Sequence, residues 1–213
     1  RAILPHRLWD TTEPVGDIAT GLARLWEEPA RRDELRAVLS LLRERIARVT
    51  PLAIVADAVS LHLHARYSRD EILAAFGMAN PGSVREGVRW IEAERVDVLF
   101  VTLTKTEQHY SPSTMYQDRA ITPELFQWES QSTTSAASAT GQRCIHHRER
   151  GSAIHLFLRE TKVADGKLGA PPYLYAGTAR YVSHTGERPM RIIWRLDTPL
   201  PADIFRLARV ATG

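Results

Sequence analysis

The hydrophobic period of the chain changes at Asp97, and no other sequence feature limits its fold as strongly. Residues 1–95 place apolar side chains at helical spacing. Over 17–28, Ile18, Leu22, Leu25 and Trp26 share one stripe, which Pro29 ends; over 31–49, Leu35, Val38, Leu39, Leu42 and Ile46 repeat it opposite Arg32, Arg36, Arg43, Glu44 and Arg45. Residues 52–65 are apolar nearly all round, which predicts a third, buried helix. Ser68 and Glu71 have capping-box spacing for a fourth helix closed by Gly77. After the turn Asn80-Pro81-Gly82, Ser83 is placed to cap a fifth through Val88 and Ile91. Residues 68–92 therefore have the spacing of a helix-turn-helix, a pattern that ordinary packed helix pairs share.

From residue 96 onward the apolar residues come in short runs rich in β-formers. Val98, Leu99, Phe100, Val101 and Leu103 predict a buried strand, with further strands over 125–129, 153–159, 173–183 and 191–196. Residues 142–147 read as the partner of 153–159 in a hairpin turning at Arg148-Glu149-Arg150-Gly151. A closing helix begins at Pro201 and turns Ile204, Phe205 and Leu207 inward. Residues 130–138, eight of nine being Ser, Thr or Ala, read as a mobile surface loop. The fold class is thus α+β: a helical part over 1–95, then a β-rich part over 96–213 built on a small curved antiparallel sheet or β-barrel.

At 213 residues the chain can bury a sizeable core without staples, and the lone Cys144 excludes a disulfide framework. No apolar run approaches the roughly 20 residues of a membrane span, so a cytoplasmic setting and no membrane partner are expected. A start at Arg1 leading at once into Ile3, Leu4, Leu8 and Trp9 suggests a piece of a longer protein. Basic and acidic residues number 14 and 14 over 1–95, then 14 and 11 over 96–213, so the net charge of +3 resides in the second part. Nearly all the cations are arginine, whose planar fork suits phosphate and base edges.

Several separated stretches resemble a known family: Phe100-Val101-Thr102-Leu103-Thr104-Lys105, Tyr116-Gln117-Asp118, 126–131, 156–160 and 189–194. The resemblance, over roughly residues 60–205, is to an uncharacterised bacterial domain found after DEAD/DEAH-type helicase cores, often with a phospholipase-D-like nuclease domain. It implies DNA processing and defence against foreign DNA, with helicase or nuclease domains of the same chain as partners. The residue after Asp118, often aromatic in that family, is Arg119 here.

The chemistry-bearing residues favour binding over catalysis. Tyr110, Tyr116 and Trp128, interleaved with Asp118, Glu129, Ser130 and Gln131, could form a pocket for an extruded or modified base, rings stacking and polar groups reading its edge. Modified-base readers of the SRA and PUA-like type supply the architectural analogy. Lys105, Ser111, Ser113, Thr114, Arg119, Arg143, His147, Arg148 and Arg150 would hold the phosphates of a DNA duplex. The competing reading packs Tyr116 and Trp128 into the core. In the enzymatic alternative, Asp118 and Glu129, with Gln131 where a lysine is usual, would hold a divalent metal and cut DNA. A third possibility makes the early helices a platform for the parent helicase core. Arg159 and Glu160 read as structural ion-pair residues. No cofactor is expected: Gly77, Gly82 and Gly87 do not form a phosphate-cradling loop, and Cys144 with His146 supplies only two ligands on one side of a strand.

Overall fold

A computed structural model describes residues 18–46, 61–103, 118–161 and 170–210. The fold is α+β. Eight strands, β1 (Arg66–Tyr67), β2 (Val88–Ile91), β3 (Val96–Thr102), β4 (Arg119–Ala120), β5 (Leu125–Glu129), β6 (Ala153–Arg159), β7 (Tyr173–Thr185) and β8 (Arg191–Leu196), form one curved sheet. Its order is β2-β3-β6-β7-β8-β5-β4, with β1 paired to β7. β2 and β4 end the path, so the sheet is open and the barrel alternative is set aside. One pair departs from the antiparallel expectation: β3 and β6 run parallel from Val96↔Ala153 to Thr102↔Arg159.

Alternation along the strands sends side chains to two faces, and each face has its own core. On the first, Leu99, Val101, Leu156, Leu158, Phe126, Trp128, Ile192 and Trp194 meet Cys144 of helix α4 (Ala139–His146) and Ile204 and Ala208 of helix α5 (Ala202–Val210). On the second, Val98, Phe100, Phe157, Tyr173 and Tyr175 meet Ile72, Leu73 and Phe76 from and just beyond helix α3 (Arg69–Ala75). Alternation is kept in step across β6 and β7 by a bulge, in which Leu156 pairs with Gly177 and Phe157 with Tyr175. Gly177 sits there at φ +96°, and any Cβ would press on Leu63.

The capping box of α3 is present: Ser68 Oγ accepts from Glu71 N–H, and Glu71 Oε2 accepts from Ser68 N–H at 2.7 Å. The second helix of the expected pair is not. Ser83 turns its hydroxyl backward onto Asn80 O, leaving nothing to cap a helix, and Val88–Ile91 pairs with β3 as strand β2. Residues 142–146 are helical instead, in α4, with His147 as its C-cap, because Ser138 caps that helix by accepting from Gly141 N–H. The tract over 130–138 is the nested turn that sets the cap, with Ser138 O–H donating to Ser135 O at 2.6 Å. Position 141 must be glycine, since a Cβ would lie 2.0 Å from Ser135 O. In α5 the buried pair is Ile204 and Ala208, while Leu207 faces outward.

No described side chain of helices α1 (Ile18–Glu27) and α2 (Pro29–Ile46) enters either core, and Leu22, Trp26, Val38, Leu39 and Leu41 are exposed. Residues 52–60 of the expected third helix lie outside the described residues. No helix among the described residues is long and apolar enough to cross a membrane.

Candidate nucleic-acid interface

On the second face of the sheet, α3 packs over β3, β6 and β7. No described residue of β8, β5 or β4 enters that second core. On β8, Ile192, Trp194 and Leu196 point to the first core, so Arg191, Ile193 and Arg195 project from the opposite face. The register brings them beside Glu129, Gln127 and Leu125 of β5, and Gln127 beside Arg119 of β4. On the other flank Arg195 lies opposite Arg180 of β7. Four arginines from three strands thus share one half of one face.

Their electrostatics differ. Arg191 donates from Nε and Nη2 to Glu129 Oε1 at 3.0 and 2.8 Å, and Arg180 pairs with Asp197. Arg119 and Arg195 have no carboxylate partner among the described residues. Arg195 is exposed and Arg119 half-buried. Unneutralised guanidiniums on a sheet surface are suited to phosphate oxygens, and each contact would release a counterion from a duplex.

The expected base pocket has a different character. Trp128 is only 4% exposed, its ring 6.3 Å from that of Trp194 in the first core, so its face is closed to a base. Asp118 is buried and its Oδ1 accepts from Glu129 N–H at 2.8 Å, fixing the approach of β4 to β5. Ser130, fully buried, accepts from Met190 N–H at 2.9 Å, while Gln131 is exposed. These groups tie β5 to its neighbours. For the metal alternative, Asp118 and Glu129 are thus engaged by backbone and by arginine. No group of three or more His, Cys, Asp or Glu able to hold a metal occurs among the described residues. Lys105, Tyr110, Ser111, Ser113, Thr114 and Tyr116 lie outside the described residues.

The remaining expected phosphate contacts are dispersed. Arg143 reaches inward: Nε and Nη2 donate to Asp97 Oδ2 and Oδ1 at 3.0 and 3.2 Å, and its guanidinium lies 4.9 Å from the Trp90 ring centroid. Burial raises the Asp97 carboxyl above its ordinary range, opposed by Arg143 and more weakly by His147. His147 is buried, its Nδ1 3.3 Å from Ser152 O and its Nε2 accepting from Tyr181 N–H at 3.2 Å. That pairing assigns the neutral tautomer with the proton on Nδ1, and burial lowers its pKa. Cys144 beside them is pushed up to about 12, chiefly by burial and then by Asp97, so it is a thiol and part of the core. Arg148 and Arg150 are exposed just after α4, at the end of the molecule where Arg95 donates to Arg150 O. Of the described cations singled out from sequence, Arg119 alone stands on the arginine-bearing half of the sheet.

Residues 61–208, which hold the whole sheet and helices α3 to α5, match the family model described as a domain of unknown function, DUF3427. The chain belongs to that family. No curated protein matches it. Helices α1 and α2 precede the matched region, consistent with their standing outside both cores. Sequence reading missed Arg180, Arg191 and Arg195. The available signal was Arg191-Ile192-Ile193-Trp194-Arg195, where a buried strand returns a cation to the same side every fourth residue.

Proposed function

We propose that this chain is a non-catalytic DNA-recognition module serving helicase or nuclease domains of the same polypeptide, and that the duplex backbone rests on the β8–β5–β4 half of the sheet. The observation that carries the reading is the row formed by Arg119, Arg191 and Arg195, two of them without carboxylate partners among the described residues. Direct reading of a modified or extruded base, the finer part of the proposal, falls to residues other than Trp128. Fluorescence-anisotropy titration of the full chain with plain, methylated, hydroxymethylated and backbone-modified duplexes at two salt concentrations tests both parts. Binding that weakens steeply with salt supports backbone contact, and a preference within the panel supports base reading. Absence of binding to every duplex overturns the proposal.

A second reading rests on a different observation. Leu22, Trp26, Val38, Leu39 and Leu41 leave an apolar surface on α1 and α2 that fits a protein contact with the parent helicase core. Co-purification of the chain with that core, lost when Trp26 and Leu41 become polar, would favour a protein platform over autonomous DNA binding.

A further inference from the structure

At the ends of the parallel strands β3 and β6, a guanidinium is buried with no anionic partner among the described residues. Arg159 is 9% exposed, closes the β6 ladder, and donates from Nε to Thr102 Oγ1 at 3.0 Å. Its guanidinium carbon lies 4.5 Å from the centroid of the Tyr173 ring. The two terminal nitrogens have no hydrogen-bond partner among the described residues, yet they are not sealed from solvent. Arg143, a comparable inward arginine, has a bidentate carboxylate. The contrast matters because a buried cation lacking a counter-ion is costly and an aromatic face offsets only part of that cost.

The neighbours add donors and a second positive charge. Arg69 lies 4.2 Å from the Phe100 centroid and 5.8 Å from that of Tyr173, anchored by Nη1 on Glu86 O at 2.6 Å and Nη2 on Tyr173 Oη at 3.3 Å. No carboxylate pairs with it among the described residues. Because Thr102 Oγ1 accepts from Arg159 and Tyr173 Oη accepts from Arg69, both hydroxyl protons stay available for donation. Two guanidiniums and two hydroxyl donors against rigid rings, with no carboxylate paired to either guanidinium among the described residues, form a donor set suited to an oxyanion. The place also fits, since open sheets bind ligands at the carboxyl ends of parallel strands.

We propose that Arg159, with Thr102, Tyr173 and Arg69, binds a phosphate group. The site lies on the half of the sheet covered by α3 and does not depend on the arginine row reading. Side-chain NMR of the full chain, titrated with inorganic phosphate against chloride at equal ionic strength, tests it without a destabilising substitution. The Arg159 Nε–H resonance, identified by its loss in Arg159→Lys, should shift saturably with phosphate and not with chloride; no saturable shift overturns the proposal. Thermal unfolding provides a second readout. Phosphate should raise the Tm of the wild type, whereas Arg159→Met should bind it roughly tenfold or more weakly. Equal phosphate stabilisation of Arg159→Met and wild type would also overturn it. Single strands carrying a 5′-phosphate or a 5′-hydroxyl then distinguish the source. Tighter binding of the phosphorylated strand, lost in Arg159→Met, assigns a DNA end; equal binding of both strands with the phosphate shift retained assigns a free phosphate compound.

Discussion

Under α3, from β3 to β7, the second sheet face is closed by Phe100, Phe157, Tyr173 and Tyr175, whereas from β8 to β4 the same face carries Arg119, Arg191 and Arg195. One face of one sheet is therefore an aromatic core under α3 and, from β8 to β4, a polar region in which Arg191 and Arg195 are exposed while Gln127 and Glu129 of β5 are buried. The aromatic half contributes stability: Phe157 stacks on Tyr175 at 4.7 Å and meets Phe76 edge-on at 6.5 Å. The arginine half contributes little, because exposed cations and their pairs gain almost nothing in water. This row of charges is what the proposed DNA contact would use.

The largest effect expected from this contrast is on stability. Phe157→Ala should cost about 3–5 kcal/mol in urea unfolding, from lost burial and the cavity left under α3. Asp97→Ala should cost a similar ~3–5 kcal/mol by leaving Arg143 inward and uncompensated, and replacing both partners by apolar residues should recover most of it. The matching test on the arginine half is Glu129→Gln, where the carboxylate is buried but Arg191 is 46% exposed and can turn to water, so the loss should be smaller, about 1–2 kcal/mol. A loss at Glu129 as large as that at Phe157 would break the distinction between the two halves.

A pH series sharpens it further. Burial lowers the pKa of His155 to about 4, with its Nδ1 2.8 Å from Tyr175 Oη and its ring edge-on to Phe76. The unfolded imidazole takes up its proton near 6.5 and the folded one only near 4, so the unfolded state binds more protons between these values. Stability should thus be unaffected by this residue above 6.5, decline as pH falls toward about 4 by roughly 3 kcal/mol, and level off below. Urea midpoints of wild type and His155→Gln across this range check the sign: the variant should lose much of the slope. The smallest stability effect, within about 0.5 kcal/mol, is expected for Arg195→Gln, which has no partner to lose.

Legibility in the sequence followed the locality of the signal. Strands β5, β6 and β8 were readable because apolar runs such as Ile154 to Leu158 and Ile192 to Trp194 carry their own evidence. Strand β2 was obscured by Ser83, whose cap-like position does not reveal that its hydroxyl turns back to Asn80. Helix α4 was obscured because its cap, Ser138, sits inside a tract of similar small residues. The burial of Trp128 matched the competing core reading, since an aromatic residue in a strand with Phe126 two positions before it shares that residue's core face. Within the arginine row only Arg191 and Arg195 had a local signature; residues 119 and 180 join them through the non-consecutive order β7-β8-β5-β4. Arg159, read as an ion-pair residue, has a hydroxyl and a ring instead.

The most direct test of the DNA-contact surface compares salt dependence in two double variants. Arg119→Gln/Arg195→Gln should weaken duplex binding and lower the slope of log affinity against log salt by about two, roughly one per phosphate contact, while Arg148→Gln/Arg150→Gln should leave it near the wild-type value. The opposite pattern, a slope reduced only by the changes after α4, would contradict the account.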